Sequence, residues 1–432
     1  MSESLARFPV TVSIVGAGSR GSSYASFALK NPHLMKVVAV AEPKNIRRNN
    51  MAEKYDIPSK FVFSDWKELA KQPRLSQAVV IATFDHLHVE PTLELAKLGY
   101  HIMLEKPMAV SIKDCQRIVS AVTENNVIFA VCHALRYTPY NRMLKKLIQS
   151  DTLGSIINIQ HLEPVGHSQF AHSFVRGNYE RESGNTNVLM NKCIHDLDLL
   201  AHLIGRRCMK ISSFGNISHF KPDRKPKQAG ESKLCMDCPY ESNCAYSAVK
   251  IYLDPIKSGH TGWPASSITD VVDIENVTKA LEDGPYGRCV HECENDVCDN
   301  QVVNMVFENG STCTLTVVAG AEAMPQGKTR IFGTKGEVDG DGKLIRHTDF
   351  RTGERVDIDP NSRQEKLSNE IEPDYDMMRA FVNAVAHEDP EGYILTGPEE
   401  AFNCHIYAFA AEHARISGSV VTLEDFRKLH SC

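Results

Sequence analysis

The run VTVSIVGAGSRGSSYASFALK near the start of the chain constrains the fold more than any other feature. A β-branched apolar stretch passes directly into Gly16, Gly18 and Gly21, spaced G-x-G-x-x-G, and then into a segment of helical character. The first glycine permits a tight turn, the second lets the backbone approach a pyrophosphate, and the third allows close packing of helix on strand. Ser19 and Arg20 stand at the helix N-terminus, where amide donors and the helix dipole favour phosphate. These requirements meet only at a strand-to-helix turn of a parallel sheet. The next strand-like run, KVVAVAE, ends in Glu42, placed to accept hydrogen bonds from an adenosine ribose diol and to repel a 2′-phosphate. That predicts NAD over NADP, with Arg47 and Arg48 as the opposing signal, since an arginine nearby can hold a 2′-phosphate.

Strand-like runs and amphipathic segments alternate through residues 9 to 130, which predicts a parallel sheet covered on both faces. From about residue 131 the texture changes to a helix, HALRYTPYNRMLKKLIQS, and then to strands joined by turns such as ENGS. The chain is therefore expected to be α/β. A Rossmann domain over 1–130 is followed by an α+β domain over 131–432 with a large, mostly antiparallel open sheet, interrupted by a cysteine-rich insertion at about 215–300. A length of 432 residues with 42% hydrophobic positions supports two cores. The net charge of −6 provides no basic stripe for nucleic acid. No apolar run is long enough to span a membrane, and the N-terminus lacks a signal-peptide pattern. A cytoplasmic protein acting on a small molecule is expected, as is a homo-oligomer formed through the C-terminal sheet.

Taken in order, VGAGSRG, AEP, ATFDHLHVEPTLELAKLGYHIMLEKPMA, HALRYTPYN and HDLDLL resemble the glucose-fructose oxidoreductase and inositol dehydrogenase family, Gfo/Idh/MocA. The resemblance implies a substrate held between the two domains against a nicotinamide, and oxidation or reduction of a secondary hydroxyl on a sugar or cyclitol. It implies that Lys106, in EKP, is the catalytic lysine and His195 the catalytic histidine. Thr83, Asp85, His86 and His88 then lie near the cofactor, with Glu105 and Lys106 beside it. Pro107 is expected to follow a cis bond.

The chemistry agrees with these residue types. Hydride leaves a carbinol carbon only as its hydroxyl loses a proton, so the site needs a base and a positive charge at the developing alkoxide. Lys106 stands at the carboxyl end of a strand, where ligands bind in such sheets. TNVLMNKCIHDLDLLAHLIG reads as one helix closed by Gly205, which brings Asn191, Lys192 and His195 to one face. The inositol dehydrogenase pattern has an aspartate where Asn191 stands, which argues against myo-inositol. Lys192 is a candidate second cation or substrate anchor, and Asp196 and Asp198 are candidates for sugar hydroxyls. Arg136, Tyr137 and Asn141 are expected to face the cleft, as are Arg176, Asn178 and Tyr179 from a loop. Some similar proteins oxidise a glycoside transiently, eliminate the aglycone and restore the cofactor, so an NAD-dependent glycoside hydrolase is the alternative function.

Thirteen cysteines in a chain of this kind predict free thiols or a metal site before disulfides. Cys235, Cys238 and Cys244 form C-x2-C-x5-C, and Cys289 follows. Four thiolates at this spacing suit a structural tetrahedral zinc. An iron–sulfur cluster, a different fourth ligand (Cys293, Cys298 or His291) and unliganded thiols are the other readings.

Overall fold

The computed structural model describes residues 7–182, 187–322, 326–362 and 373–432. Six short apolar segments become β1 (Val10–Val15), β2 (Met35–Ala41), β3 (Val62–Phe63), β4 (Ala78–Ile81), β5 (His101–Leu104) and β6 (Phe129–Val131). They pair in parallel in the order β3-β2-β1-β4-β5-β6. β4 is buried at every position, as expected for a strand with helices on both faces. The strand order reverses between β1 and β4, so a crevice for a dinucleotide opens at their carboxyl ends. Lys106 follows β5 on the same edge.

The second sheet has nine strands: β7 (Ile156–Gly166), β8 (Cys208–Asn216), β9 (Asn300–Phe307), β10 (Thr312–Ala321), β11 (Lys328–Gly333), β12 (Gly336–Gly340), β13 (Ile345–Asp349), β14 (Arg355–Ile358) and β15 (Val421–Thr422). Their order is β14-β13-β12-β11-β7-β10-β9-β8-β15. Only the β7–β10 pair is parallel. Burial alternates along β9, so one face carries the core and the other remains open. Helices Ile194–Ile204 and Pro398–Ser417 supply much of the cover over that core.

Two departures from the sequence reading bear on the site. The expected single helix is broken into Val188–Asn191 and Ile194–Ile204, with Lys192 and Cys193 at the break. Asn187 caps the first piece through its side chain, and Gly205, at φ +65°, closes the second; Thr186 lies outside the described residues. In addition, helix Pro373–His387 sends Met377, Met378, Phe381 and Val385 into the core shared with β1 and β2. The first structural unit thus recruits a segment far beyond residue 130. The cysteine-rich stretch leaves the sheet after Asn216 and re-enters at Asn300, two residues that pair across β8 and β9.

Candidate active site

The glycine turn is built as its sequence demands. Gly16 has φ +91°, and a Cβ there would meet the Ala82 carbonyl oxygen at 2.5 Å. A Cβ on Gly21 would strike the Gly16 carbonyl oxygen at 1.9 Å, so helix and turn pack without room for a methyl group. At Gly18 the nearest atom to such a Cβ is Arg47 Nη1 at 3.6 Å, which leaves that backbone approachable. Glu42 is buried at the end of β2 and accepts from the amides of Ala17 (2.8 Å) and Lys44 (2.9 Å). Its carboxylate therefore stands at the mouth of the turn with a fixed orientation. These residues suit a dinucleotide: open backbone for the pyrophosphate and an anchored acid for the ribose.

Ser19 and Arg20 open the helix Ser19–Lys30. Arg20 donates to Asp374 at 2.9 and 2.8 Å and lies 3.5 Å from Glu105. Tyr24 donates its hydroxyl to the buried Glu105. This network holds the residue preceding Lys106, and the Lys106–Pro107 peptide is cis.

Lys106 donates its ammonium to the Asn191 carbonyl, at the helix break. Burial pushes the lysine below its ordinary range, opposed by Glu105 and Asp85. Asn191 Nδ2 faces Asp85 Oδ2 at 3.4 Å, and Tyr179 lies beside both. His195 has no partner for Nδ1 among the described residues, and its ring meets His133 edge to face at 5.7 Å. Burial drives the His195 pKa well below the imidazole range, and the Lys106 charge adds to this. The ring is thus neutral and can accept a proton. Lys106, Asn191 and His195 are brought together, with Asp85 and Tyr179 at their edge.

Two histidines absent from the expected catalytic set position the EKP turn. His405 Nε2 accepts from the Met108 amide at 2.7 Å, which requires Nδ1 to carry the proton donated to the Ala401 carbonyl at 2.6 Å. His88 is fully buried between the carbonyls of Pro107 (2.8 Å) and Thr83 (3.2 Å). It therefore joins the two loops from behind, where the sequence had placed it against the cofactor. Thr83 and Asp85 remain on the loop after β4.

The partners of Lys192 and Asp196, which are Glu163 and His161, escaped the sequence reading. Lys192 pairs with Glu163 at 2.7 Å, and His161 bridges Asp196 (Nε2–Oδ1, 3.0 Å) and Thr329 (Nδ1–Oγ1, 2.8 Å). Burial would lower the Lys192 pKa, but Glu163 and Asp196 more than offset it, so this side chain stays a cation. The signal was present: His161 and Glu163 are two apart on β7, polar residues on its core-facing side.

Four expected cleft residues are turned elsewhere. Arg136 makes a two-pronged ion pair with the fully buried Asp198, at 2.6 and 2.7 Å, and donates to the Leu395 carbonyl. The Tyr137 hydroxyl accepts from the Leu395 amide at 2.8 Å, and Asn141 donates to the Leu135 carbonyl at 2.9 Å. Arg176 points into the cysteine-rich segment between β8 and β9. The physical reason is common to all: each sits where backbone carbonyls or amides, or a buried acid, need a partner. The expected zinc set is not drawn to bonding distance. Among the described residues, the metal-capable groups whose ligand atoms lie within 4.8 Å of one another are His133/Asp198/Cys404 and His161/Glu163/Asp196, not the cysteines.

Comparison with known proteins bears on the family and the fold. The Gfo/Idh/MocA profile for an oxidoreductase family's NAD-binding Rossmann fold matches residues 10–133, and that for the family's C-terminal alpha/beta domain matches 145–403. The chain belongs to the Gfo/Idh/MocA family. It shares 25% identity over 201 residues with levoglucosan dehydrogenase of Pseudarthrobacter phenanthrenivorans, covering 45% of this chain and 51% of that protein. It shares 28% over 211 residues with 2,7-anhydro-N-acetylneuraminate hydratase of Mediterraneibacter gnavus, 49% and 54% of the two chains. The chain thus spans little more than half the length of these curated family members. A solved levoglucosan dehydrogenase complex with NADH and levoglucosan superposes with TM-score 0.70 at 16% identity, over 96% of this chain and 99% of that one. That likeness concerns the family fold. No described helix is long and apolar enough to cross a membrane.

Proposed function

We propose that the chain is an NAD-dependent oxidoreductase that transfers hydride between the nicotinamide and a secondary hydroxyl or ketone of a sugar, cyclitol or glycoside. The observation that carries this reading is that the half-buried Lys106 ammonium donates to the Asn191 carbonyl at the helix break, just before His195, whose Nδ1 has no partner among the described residues. NAD, when bound through Gly16, Gly18, Ser19, Gly21 and Glu42, supplies the hydride acceptor. His195 takes the hydroxyl proton, and Lys106 steadies the negative charge that grows on the same oxygen. Asn191 orients the hydroxyl, and Lys192, held cationic by Glu163, anchors the substrate.

A redox-neutral lyase or hydrolase cycle is the second reading. It is favoured by the His161–Asp196 and Glu163–Lys192 pairs, which supply additional proton-transfer groups, and by the hydratase relatives. The deciding experiment is a panel of polyols, aldoses, anhydrosugars and glycosides followed by absorbance at the reduced-nicotinamide band and by mass spectrometry. Net NADH formation supports the dehydrogenase. Substrate loss with no net NADH supports the cycle, and inertness toward the whole panel defeats both.

All thirteen cysteines are free, which supports a cytoplasmic location. The open face of the nine-stranded sheet exposes Phe214, Val306 and Val318, and we assign it to self-association. Sedimentation of the wild type against Phe214→Glu tests this, a monomeric wild type being the outcome that refutes it.

A further inference from the structure

Within the insertion, Cys235, Cys238, Cys244 and Cys289 line one cavity of about 20 Å³ together with Arg176 and His291. Backbone pairing brings them there. Leu234 and Arg288 form an antiparallel bridge, with the Cys235 amide on the Gly287 carbonyl (2.8 Å) and the Cys289 amide on the Lys233 carbonyl (2.7 Å). The Cys238 amide turns back onto the Cys235 carbonyl at 3.2 Å, closing the C-x2-C turn.

Arg176 is the independent observation. It is 1% exposed. Its Nε donates to the Arg288 carbonyl (2.7 Å), and Nη2 donates to the Tyr246 carbonyl (2.7 Å) and to Cys235 Sγ (3.3 Å). Nη1 has no partner, and among the described residues no carboxylate pairs with this guanidinium. A buried cation without an anion is strongly unfavourable. Four uncharged thiols supply no charge to balance it. A divalent metal held by four thiolates does supply it, because four negative sulfurs exceed the metal's charge by two.

We propose that Cys235, Cys238, Cys244 and Cys289 hold a thiolate-ligated metal centre and that Arg176 is its buried counter-cation. On binding, four thiols release four protons to solvent, four metal–sulfur bonds replace the metal's water ligands, and no electron is transferred. The sulfurs are spaced more widely than zinc–sulfur bonds of about 2.3 Å would hold them. Zinc would therefore draw them inward, whereas an iron–sulfur cluster would accept a broader cage. The centre ties the turn from Cys235 to Cys244 to the backbone at Cys289, across the Leu234–Arg288 bridge, as structural metal sites do.

The test is elemental analysis, acid-labile sulfide and native mass spectrometry on full-length protein purified without chelator under anaerobic conditions. One zinc per chain, or iron with matching sulfide and a broad visible absorption, supports the centre and identifies it. Protein lacking both metals, whose four cysteines alkylate freely in the native state, overturns it. Chelator competition then isolates Arg176. Arg176→Gln should weaken metal retention by about tenfold, in the range seen for outer-shell partners, while Arg176→Lys restores most of it. Equal retention in both variants and wild type would remove Arg176 from the proposal.

Discussion

Asp270 accepts from both Nε and Nη2 of Arg47, at 3.2 and 3.0 Å. The aspartate comes from the segment between β8 and β9 and the arginine from the helix Asn45–Lys54, one turn beyond Glu42. Lys44 reaches the same carboxylate at 3.3 Å, while Arg48 donates to the Glu42 and Pro43 carbonyls at 2.6 and 3.1 Å. The cations that a 2′-phosphate would need are thus already engaged. Asp270→Asn should raise NADP affinity by about tenfold, about 1.4 kcal/mol, and leave NAD affinity within a factor of two. Isothermal titration with each nucleotide reads this, and an unchanged NADP affinity would remove Asp270 from cofactor choice.

Lys106 and His195 act on one oxygen in the proposed transition state. Lys106→Ala and His195→Ala should each lower turnover by about a hundredfold or more, in the range for a lost acid–base or charge-stabilising group. NAD affinity should change little, since the glycine turn and Glu42 carry it. Because the two groups serve a shared event, the double variant should be little worse than the poorer single one. Multiplicative losses in single-turnover assays would separate their roles.

Arg136 and Asp198 form a buried ion pair, and Arg136 also donates to the Leu395 carbonyl, so we assign them a structural role. Arg136→Met should cost about 3–5 kcal/mol, because it strands a buried carboxylate. Arg136→Met with Asp198→Leu should recover much of that loss, read by urea unfolding. The substrate KM of whichever variants fold should match wild type. A KM raised tenfold at unchanged stability would return Arg136 to the cleft.

His405 must be neutral to accept from Met108, and burial holds its pKa near 3 against an ordinary 6.5. The unfolded chain therefore binds the extra proton first as pH falls. Stability from this residue is complete above about pH 6.5 and declines below it by about 1 kcal/mol per pH unit until the folded ring protonates. Chemical denaturation between pH 7.5 and 5 should show this slope. His405→Gln, which retains an acceptor without a titrating ring, should make the slope shallower by the share of one histidine, the remainder coming from such groups as His101, His172, His195 and His202, which burial shifts the same way.

The glycine turn, the parallel sheet and the EKP lysine were legible because each depends on local spacing that a strand-to-helix junction dictates. The His195 helix was legible as to its members but not its break, since VLMNKCIHDL keeps an apolar rhythm through Lys192 and Cys193. Arg136, Tyr137, Asn141 and Arg176 misled for one physical cause. A polar side chain near a cleft in sequence can be claimed by an unpaired carbonyl, amide or carboxylate from far along the chain. Leu395, which serves both Arg136 and Tyr137, is more than 250 residues away from either. His405 and Glu163 were missed for the converse reason: their partners Met108 and Lys192 are distant in sequence, 297 and 29 residues away, and become neighbours only in the folded chain.

Asn216 and Asn300 face each other across one ladder, and the whole cysteine-rich segment hangs between them. A short turn would bridge the same two strands, and shortening a loop lowers the entropy of closing it. The segment is thus a cassette with adjacent entry and exit. Its entry and exit are fixed by one residue pair of the ladder, while its side chains Tyr252, Val277 and Leu281 pack into the core beneath the sheet. Asp270 travels with the cassette, while Glu42, Lys106 and His195 stay with the chassis. Cofactor preference is then divided between Glu42 at the glycine turn and Asp270 on the segment, whereas the proposed reaction chemistry rests on Lys106 and His195 alone.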